Sequence, residues 1–328
     1  MSFSICTRND SNFKDSRVGD DKLYSMYSND MILHKRFGNF LSGGSLGQAY
    51  APFALGAGGN FQEDMKMHIS RARLDDRRHL LEKLDSLKRQ ADTSGQIEGL
   101  DRIQQQAFSV ILGGISDAFD ISKEDPRTIE RYDTSKLMRP DQISRAWNNH
   151  KNYVDHVRSL GKLLLMARRL VESGCGFVTV TTNFVWDFHA DKNNATLHEG
   201  MQYVAAPFDH AVSALIEDLD QRGLSEKVLV VACGEMGRTP KINKKGGRDH
   251  WGKLAPLLFS GGGLNMGQVV GTSTKDAGEA ASDPVSMGDL NATILNTLMD
   301  PGQVRLMPEL PEDVRKLVEA GKPIKQLV

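Results

Sequence analysis

Three short apolar segments constrain the fold of this 328-residue chain more than any other feature. They span residues 176–182, 227–235 and 254–263, and each has the length and the aliphatic composition of a buried strand. An amphipathic helix, with apolar residues at three- and four-residue spacing from Phe208 to Leu219, separates the first two segments. Strand, helix, strand, loop and strand in this order predict an α/β protein, a three-layer α/β/α sandwich with a largely parallel sheet.

Three strands are few for such a sheet, which typically has about five or six. An open parallel sheet of this size keeps an unpaired edge. We therefore expect the N-terminal strand or strands of the sandwich to be lacking, or to lie unrecognised in the first forty residues. A second copy of the chain would cover the edge, which predicts a homodimer.

The chain is predicted to have one domain preceded by a short segment. Residues 1–40 show no clear hydrophobic period and form a poorly defined N-terminal segment, and residues 41–328 form the α/β domain. Within the domain, a long helix is predicted from Tyr153 to Ser173, capped by Gly174.

Composition excludes several classes of protein. Lys+Arg 41 against Asp+Glu 42 gives a net charge of -1, which argues against a nucleic-acid partner. No apolar run reaches the roughly 18 residues of a membrane span. The N-terminus lacks the basic and apolar regions of a signal peptide. Three widely spaced cysteines predict neither a disulfide framework nor a zinc knuckle.

Acidic and histidine residues follow the first predicted strand. In extended backbone Asp187, His189 and Asp191 would point to the same side, because side chains alternate. Ligands of open α/β sheets bind at the carboxyl ends of strands. A carboxylate beside an imidazole suits zinc, manganese or iron, which this pattern does not distinguish. A hydrogen-bonded Asp–His pair in a loop is the alternative interpretation.

Two further groups of polar residues follow the second predicted strand. Glu235 would face the same cleft as Asp187, and Arg238 has the forked donors that suit a phosphate or sulfate oxygen. The alternative is a Glu–Arg ion pair within a loop. A basic, glycine-rich loop then leads to a histidine that we predict as the last metal ligand. The charged residues of this loop and the Asp–His pair that ends it are Lys241, Lys244, Lys245, Arg248, Asp249 and His250.

We therefore predict two sets of site residues. The metal ligands are Asp187, His189, Glu235 and His250, and the residues that bind an anionic substrate are Arg238, Lys241, Arg248 and Asp249. A solvated basic turn is the alternative for the loop. No catalytic nucleophile is assigned.

Several segments together resemble a known bacterial family, the domain of unknown function 1501. The resemblance covers roughly residues 40–325 and is carried by combined motifs. These are LGQAYAPF, RLDDRRHLLEKLD, LLLMARRLVESGCGFVTV, WDFHADKNN, CGEMGRTPKIN, GGRDHWGKLAPLLFSGGG and the Gly267–Gly271 stretch. The resemblance implies membership of the alkaline phosphatase-like superfamily of metal-dependent phosphatases, phosphomutases and sulfatases, with a two-metal site at strand ends.

The resemblance also assigns roles to individual residues. Asp187 and His189 resemble the Asp and His of one metal site, and His250 resembles the last histidine of that site. Glu235 stands where many superfamily members have an Asp–His pair. Superfamily members begin with a strand that carries an Asp ligand and the nucleophile, so we expect an N-terminally shortened chain.

The function expected from the residues and the resemblance is metal-dependent hydrolysis of a small phosphate or sulfate ester. The alternative is a catalytically silent binding or structural module that keeps part of a metal or anion site. The family is usually exported to the periplasm or beyond. The sequence itself leaves the compartment open.

Overall fold

The computed structural model describes residues 70, 72–77, 79–80, 115–180, 182, 185–234, 236–300, 302, 304, 306–307 and 311–328. Backbone contacts divide the chain between Lys123 and Glu124 into two units. In the first unit, residues 72–77 and 79–80 are helical, followed by α1 (Ile115–Ala118) and a 3₁₀ turn at Ile121–Lys123. The predicted segment 1–40 lies outside the described residues, so its boundary with the domain at 41–328 stays a prediction.

Two long helices form the body of the second unit. After α2 (Pro126–Tyr132) and 3₁₀ turns at Thr134–Lys136 and Pro140–Gln142 come α3 (His150–Glu172) and α4 (Leu197–Gln221). Both long helices were predicted from apolar residues at three- and four-residue spacing, and both predictions are confirmed in outline. The backbone N–H groups of Gly174 and Cys175 donate to carbonyls of α3 and end it.

The apolar core between α3 and α4 includes the segment that carries Asp187 and His189. Val185 and Phe188 are buried there with Tyr153 of α3 and Tyr203 of α4. The Tyr153 hydroxyl also accepts a hydrogen bond of 3.0 Å from the backbone N–H of Ala195. Phe188 therefore anchors the polar residues on either side of it to the helical body.

The strands of the second unit pair antiparallel. The first two sheets join β1 (Leu229–Cys233) with β4 (Leu257–Gly261) and β2 (Gly237–Arg238) with β3 (His250–Trp251). They form one interrupted hairpin, because β2 and β3 lie within the connection between β1 and β4. A third sheet joins β5 (Thr272–Ser273) with β6 (Ala280–Ser282).

The predicted three-layer α/β/α sandwich with a largely parallel sheet is therefore wrong. Parallel neighbours need a crossover, usually a helix, to return the chain to the starting end of the sheet. The residues between the predicted second and third strands instead turn back on themselves through β2 and β3, so the third segment runs antiparallel to the second. The prediction of an alkaline phosphatase-like sandwich is therefore wrong as well. The homodimer was predicted from an unpaired edge of that parallel sheet. Because the sheet is not parallel, that reason no longer applies, and the homodimer stays a prediction.

The first predicted strand, residues 176–182, is also wrong over its described part. Phe177 makes a single β-bridge and residues 178–180 have no regular structure. Val178 is buried, but the side chain of Phe177 is 55% exposed. The apolar composition had predicted that this segment is buried. β-Branched residues form a strand only where a neighbouring strand supplies ladder hydrogen bonds, and their propensity yields to tertiary context.

Two helices follow the hairpins. Helix α5 (Met287–Leu298) begins with a capping box between Ser286 and Asp289, and α6 (Glu312–Glu319) lies against it. Across the part of the chain that the structure describes, we find no helix with both the length and the hydrophobicity of a membrane span.

A buried ion network joins α3 to α4 and to the residue before the N-cap of α2. Arg168 of α3 is 1% exposed and contacts Glu124 at 2.5 Å, Glu172 at 2.6 Å and Asp218 of α4 at 2.8 Å. Arg222 contacts the same three carboxylates. Burial would raise the pKa of Glu124, but hydrogen bonds from Arg168 and Arg169 lower it to about 2. The Glu124 carboxylate therefore keeps its charge at all but strongly acidic pH.

A buried histidine lies in the contact between α3 and α4. The Nε2–H of His156 in α3 donates to the backbone carbonyl of Val204 in α4 at 3.2 Å, since a carbonyl oxygen only accepts. Burial lowers the pKa of His156 from 6.5 to about 4, although the hydrogen bond partly opposes the shift. The imidazole is therefore neutral in the folded protein at neutral pH.

We expect the free energy of unfolding to fall as the pH drops from 6.5 towards 4, because the unfolded chain takes up a proton that buried His156 does not. At about 1.4 kcal/mol per pH unit, this side chain alone accounts for a loss of about 3 kcal/mol. Urea unfolding at pH 7 and pH ~4 measures it. The variant His156→Gln keeps an amide donor and does not titrate, so it should lose less stability. Equal losses in both proteins would contradict the prediction.

Candidate functional site

The segment after Val185 places Asp187 and His189 on the side opposite to the core. Phe188 points into the core between α3 and α4, as the alternation of side chains requires. The next residue, Ala190, has a φ of 55°, in the left-handed region, and this turns the chain. Asp191 therefore does not continue the alternation. Its carboxylate accepts the backbone N–H groups of Asn193 and Asn194 at 2.8 and 2.7 Å.

The hairpin β2–β3 supplies the other side chains of the site. Arg238 of β2 and His250 of β3 are directly paired in the ladder. The hairpin is fastened to the Asp187–His189 segment by its own backbone. The N–H of Arg248 donates to the Phe188 carbonyl at 2.8 Å, and the Asn243 side-chain amide donates to the His189 carbonyl at 3.0 Å.

Gly247 is required for this close approach. A Cβ atom on Gly247 would lie 2.2 Å from the carbonyl carbon of His189 and 2.6 Å from the carbonyl oxygen of Phe188, where no side chain fits. Any larger residue would push the hairpin away from the segment that carries Asp187 and His189.

Asp187, His189 and His250 converge in the arrangement of metal ligands. The Oδ1 atom of Asp187 lies 2.9 Å from the Nε2 atom of His189 and 2.9 Å from that of His250, and the two Nε2 atoms lie 3.0 Å apart. With bonds of about 2.1 Å, ligand atoms around an ion lie about 3.0 Å apart at right angles and about 3.4 Å apart in the tetrahedral geometry of zinc, so a small movement of the side chains suffices for either. The three side chains, called here the His₂Asp cluster, therefore fit one divalent ion.

The guanidinium of Arg238 lies beside the carboxylate of this cluster. The Nη1 atom of Arg238 is 2.5 Å from the Oδ1 atom of Asp187 and 3.4 Å from the Nε2 atom of His189. Burial would raise the pKa of Asp187, but hydrogen bonds from His250 and Arg238 outweigh it and keep that pKa below the usual value. Asp187 is thus an ionised acceptor. It and His189 are about one-fifth exposed, and His250 is half exposed.

Asp249 orients His189. Its Oδ1 atom lies 3.1 Å from the Nδ1 atom of His189, so Nδ1–H donates to the carboxylate. This tautomer leaves the lone pair of Nε2 directed at the His₂Asp cluster. Metal-ligating histidines commonly have such an outer carboxylate. The position therefore favours an orienting role for Asp249 over the anion-binding role that we predicted.

The remaining predicted residues are spread around the hairpin. Glu235, the fourth predicted metal ligand, lies outside the described residues. Lys241 is exposed, and the guanidinium of Arg248 donates to the Thr239 carbonyl at 3.2 Å. Asn243 and Asn194 were not predicted as site residues. Asparagine in such loops is typical of ordinary turns, so no sequence signal set them apart.

An open cleft of about 500 Å³ leads to His189. Its lining includes two lysines and two carboxylates. It is lined by His189, Asp191, Asn243, Lys244, Lys245 and Asp249.

Fold and site together define a helix-rich protein whose hairpin brings a two-histidine, one-carboxylate cluster to an open cleft. The chain belongs to the family described as "Protein of unknown function (DUF1501)", which matches residues 26–328. The predicted family is confirmed. No curated protein and no solved structure matches the chain.

Proposed function

We propose that Asp187, His189 and His250 bind one divalent metal ion. The convergence of the three ligand atoms carries the proposal, since two imidazole nitrogens and a carboxylate oxygen lie within 3.0 Å of one another. Two features support it. Asp249 holds His189 in the tautomer that a metal needs, and Asp187 is kept ionised. Zinc, manganese and iron(II) all accept this donor set.

We further propose that the site hydrolyses a small anionic ester of phosphate or sulfate. A bound divalent ion would polarise the ester oxygen and stabilise the charge that develops on it. Lys244 and Lys245 face the same cleft as His189 and supply positive charge for the anion. Asp191 and Asp249 line it as well and would repel an anion, so we expect the anionic group to bind beside the two lysines.

One observation favours the alternative of a silent binding module. The residues that line the described cleft include no hydroxyl or thiol nucleophile. The nearby hydroxyl of Thr239 donates to the Lys241 carbonyl and accepts from the Asp249 N–H, so it serves the hairpin. A module of this kind would bind a metal or an anion without turnover.

Turnover of aryl phosphates and aryl sulfates, with zinc, manganese or iron(II) added to metal-stripped protein, distinguishes these functions. If the protein is a hydrolase, we expect metal-dependent release of the phenol. The variant His250→Ala should abolish this release. His198→Ala, at an exposed histidine at the start of α4, should keep the activity. Metal binding without turnover of any ester would support the silent module. Absence of metal binding would contradict the hydrolase and the metal-binding form of the silent module.

A further inference from the structure

Two asparagine pairs connect the start of α3 with the loop that follows His189. The Asn148 side-chain amide donates to Oδ1 of Asn193 at 2.7 Å, and that of Asn149 donates to Oδ1 of Asn194 at 2.6 Å. The backbone N–H groups of Asn148 and Asn149 also donate, to the carbonyls of Lys192 and Asn193 respectively. The loop is thus fastened to the end of a 23-residue helix.

The two pairs differ in burial and in reach. Asn148 and Asn193 meet at an exposed position, whereas Asn149 and Asn194 are 4% and 5% exposed. Because Oδ1 of Asn194 accepts from Asn149, its Nδ2 points the other way and donates to Oδ2 of Asp187 at 3.4 Å. Only the inner pair therefore reaches the His₂Asp cluster.

The two carboxylate oxygens of Asp187 consequently have different surroundings. Oδ1 faces His189, His250 and Arg238. Oδ2 faces the amide of Asn194, which is itself fixed by Asn149. A carboxylate without such a partner can rotate and offer both oxygens to an ion.

We infer that Asn194, oriented by Asn149, is a positioning residue that limits Asp187 to one coordinating oxygen. The inference rests on the proposed metal site. Loss of an outer hydrogen-bond partner of a metal ligand typically costs about 10- to 100-fold in metal affinity.

Zinc titration by calorimetry tests the inference with a matched pair of variants. Asn194→Leu keeps the branched shape and removes the donor to Asp187, and we expect it to bind zinc roughly 10- to 100-fold more weakly than the unmodified protein. Asn193→Leu removes the exposed pair and should bind zinc as the unmodified protein does. Equal affinities of the two variants would overturn the inference.

A double variant separates positioning from stability. Asn194→Leu removes the Oδ1 acceptor that Asn194 offers to the buried amide of Asn149. Asn149→Leu/Asn194→Leu replaces both partners by apolar groups of similar shape, which can be nearly neutral for stability. We expect the double variant to stay weak in zinc binding. The visible spectrum of its cobalt(II) form should also differ from that of Asn193→Leu, because a second carboxylate oxygen changes the coordination number. Zinc affinity that recovers with stability would overturn the inference, and absence of zinc binding by the unmodified protein would instead reject the metal site.

Discussion

Replacing Arg168 with methionine is expected to lower the free energy of unfolding by about 3–5 kcal/mol. The guanidinium is 1% exposed and contacts Glu124, Glu172 and Asp218. Methionine fills much of the space but removes the most buried cation that Glu124 and Asp218, at 9% and 12% exposure, share. The more exposed Arg222 still contacts both carboxylates, and Arg169 still contacts Glu124. A buried charge without its partner is far more costly than a lost surface pair.

Urea unfolding at neutral pH measures the effect. Lys136→Met is the matched control, since Lys136 pairs with Glu130 at 2.8 Å on the exposed surface and its loss should change stability little. A loss for Arg168→Met below about 1 kcal/mol, the range of surface pairs, would contradict the account of the network.

The effect of Arg168→Met should also depend on pH. The pKa of Glu124 is lowered in the folded state from 4.5 to about 2, so its contribution is present above pH 4.5 and is lost as the pH falls towards 2. The difference between the unmodified protein and Arg168→Met should therefore shrink over this range.

Alanine at His189 or at His250 is expected to weaken zinc binding by more than about 100-fold, the upper range for loss of an outer partner. Each variant removes one of the three atoms that converge within 3.0 Å. Because His250 is half exposed at the hairpin edge, its truncation should leave the unfolding free energy nearly unchanged.

Calorimetric titration of metal-stripped protein with zinc measures this loss. His198→Ala removes an exposed histidine that contacts Gln202 on α4, and its zinc affinity should equal that of the unmodified protein. Unchanged affinity in His189→Ala and His250→Ala would mean that zinc binds elsewhere.

The long helices could be predicted because their signal is local. The apolar stripe of α3 and the glycine that follows the helix are contained in one stretch of sequence. Strand direction is not local. An apolar pattern such as 227–235 fits a parallel or an antiparallel neighbour equally, and only the path of residues 236–256 decides between them.

We predicted from the sequence that Asp187, His189 and His250 lie together, but the reason was only partly right. Alternation placed Asp187 and His189 on one side of the chain, and the structure agrees because Phe188 is buried between them. We expected His250 to join them at the carboxyl ends of parallel strands. It lies there instead because β2 and β3 fold back over the His189 carbonyl. Asn194 could not be predicted, since its role depends on a contact with Asn149 across 45 residues of sequence.

The most direct measurement is anomalous diffraction at the zinc absorption edge from crystals grown with zinc. We expect one peak within bonding distance of Oδ1 of Asp187 and the Nε2 atoms of His189 and His250. A His₂Asp cluster without anomalous density, with Arg238 still bound to Asp187 and zinc absent or bound elsewhere, would contradict it.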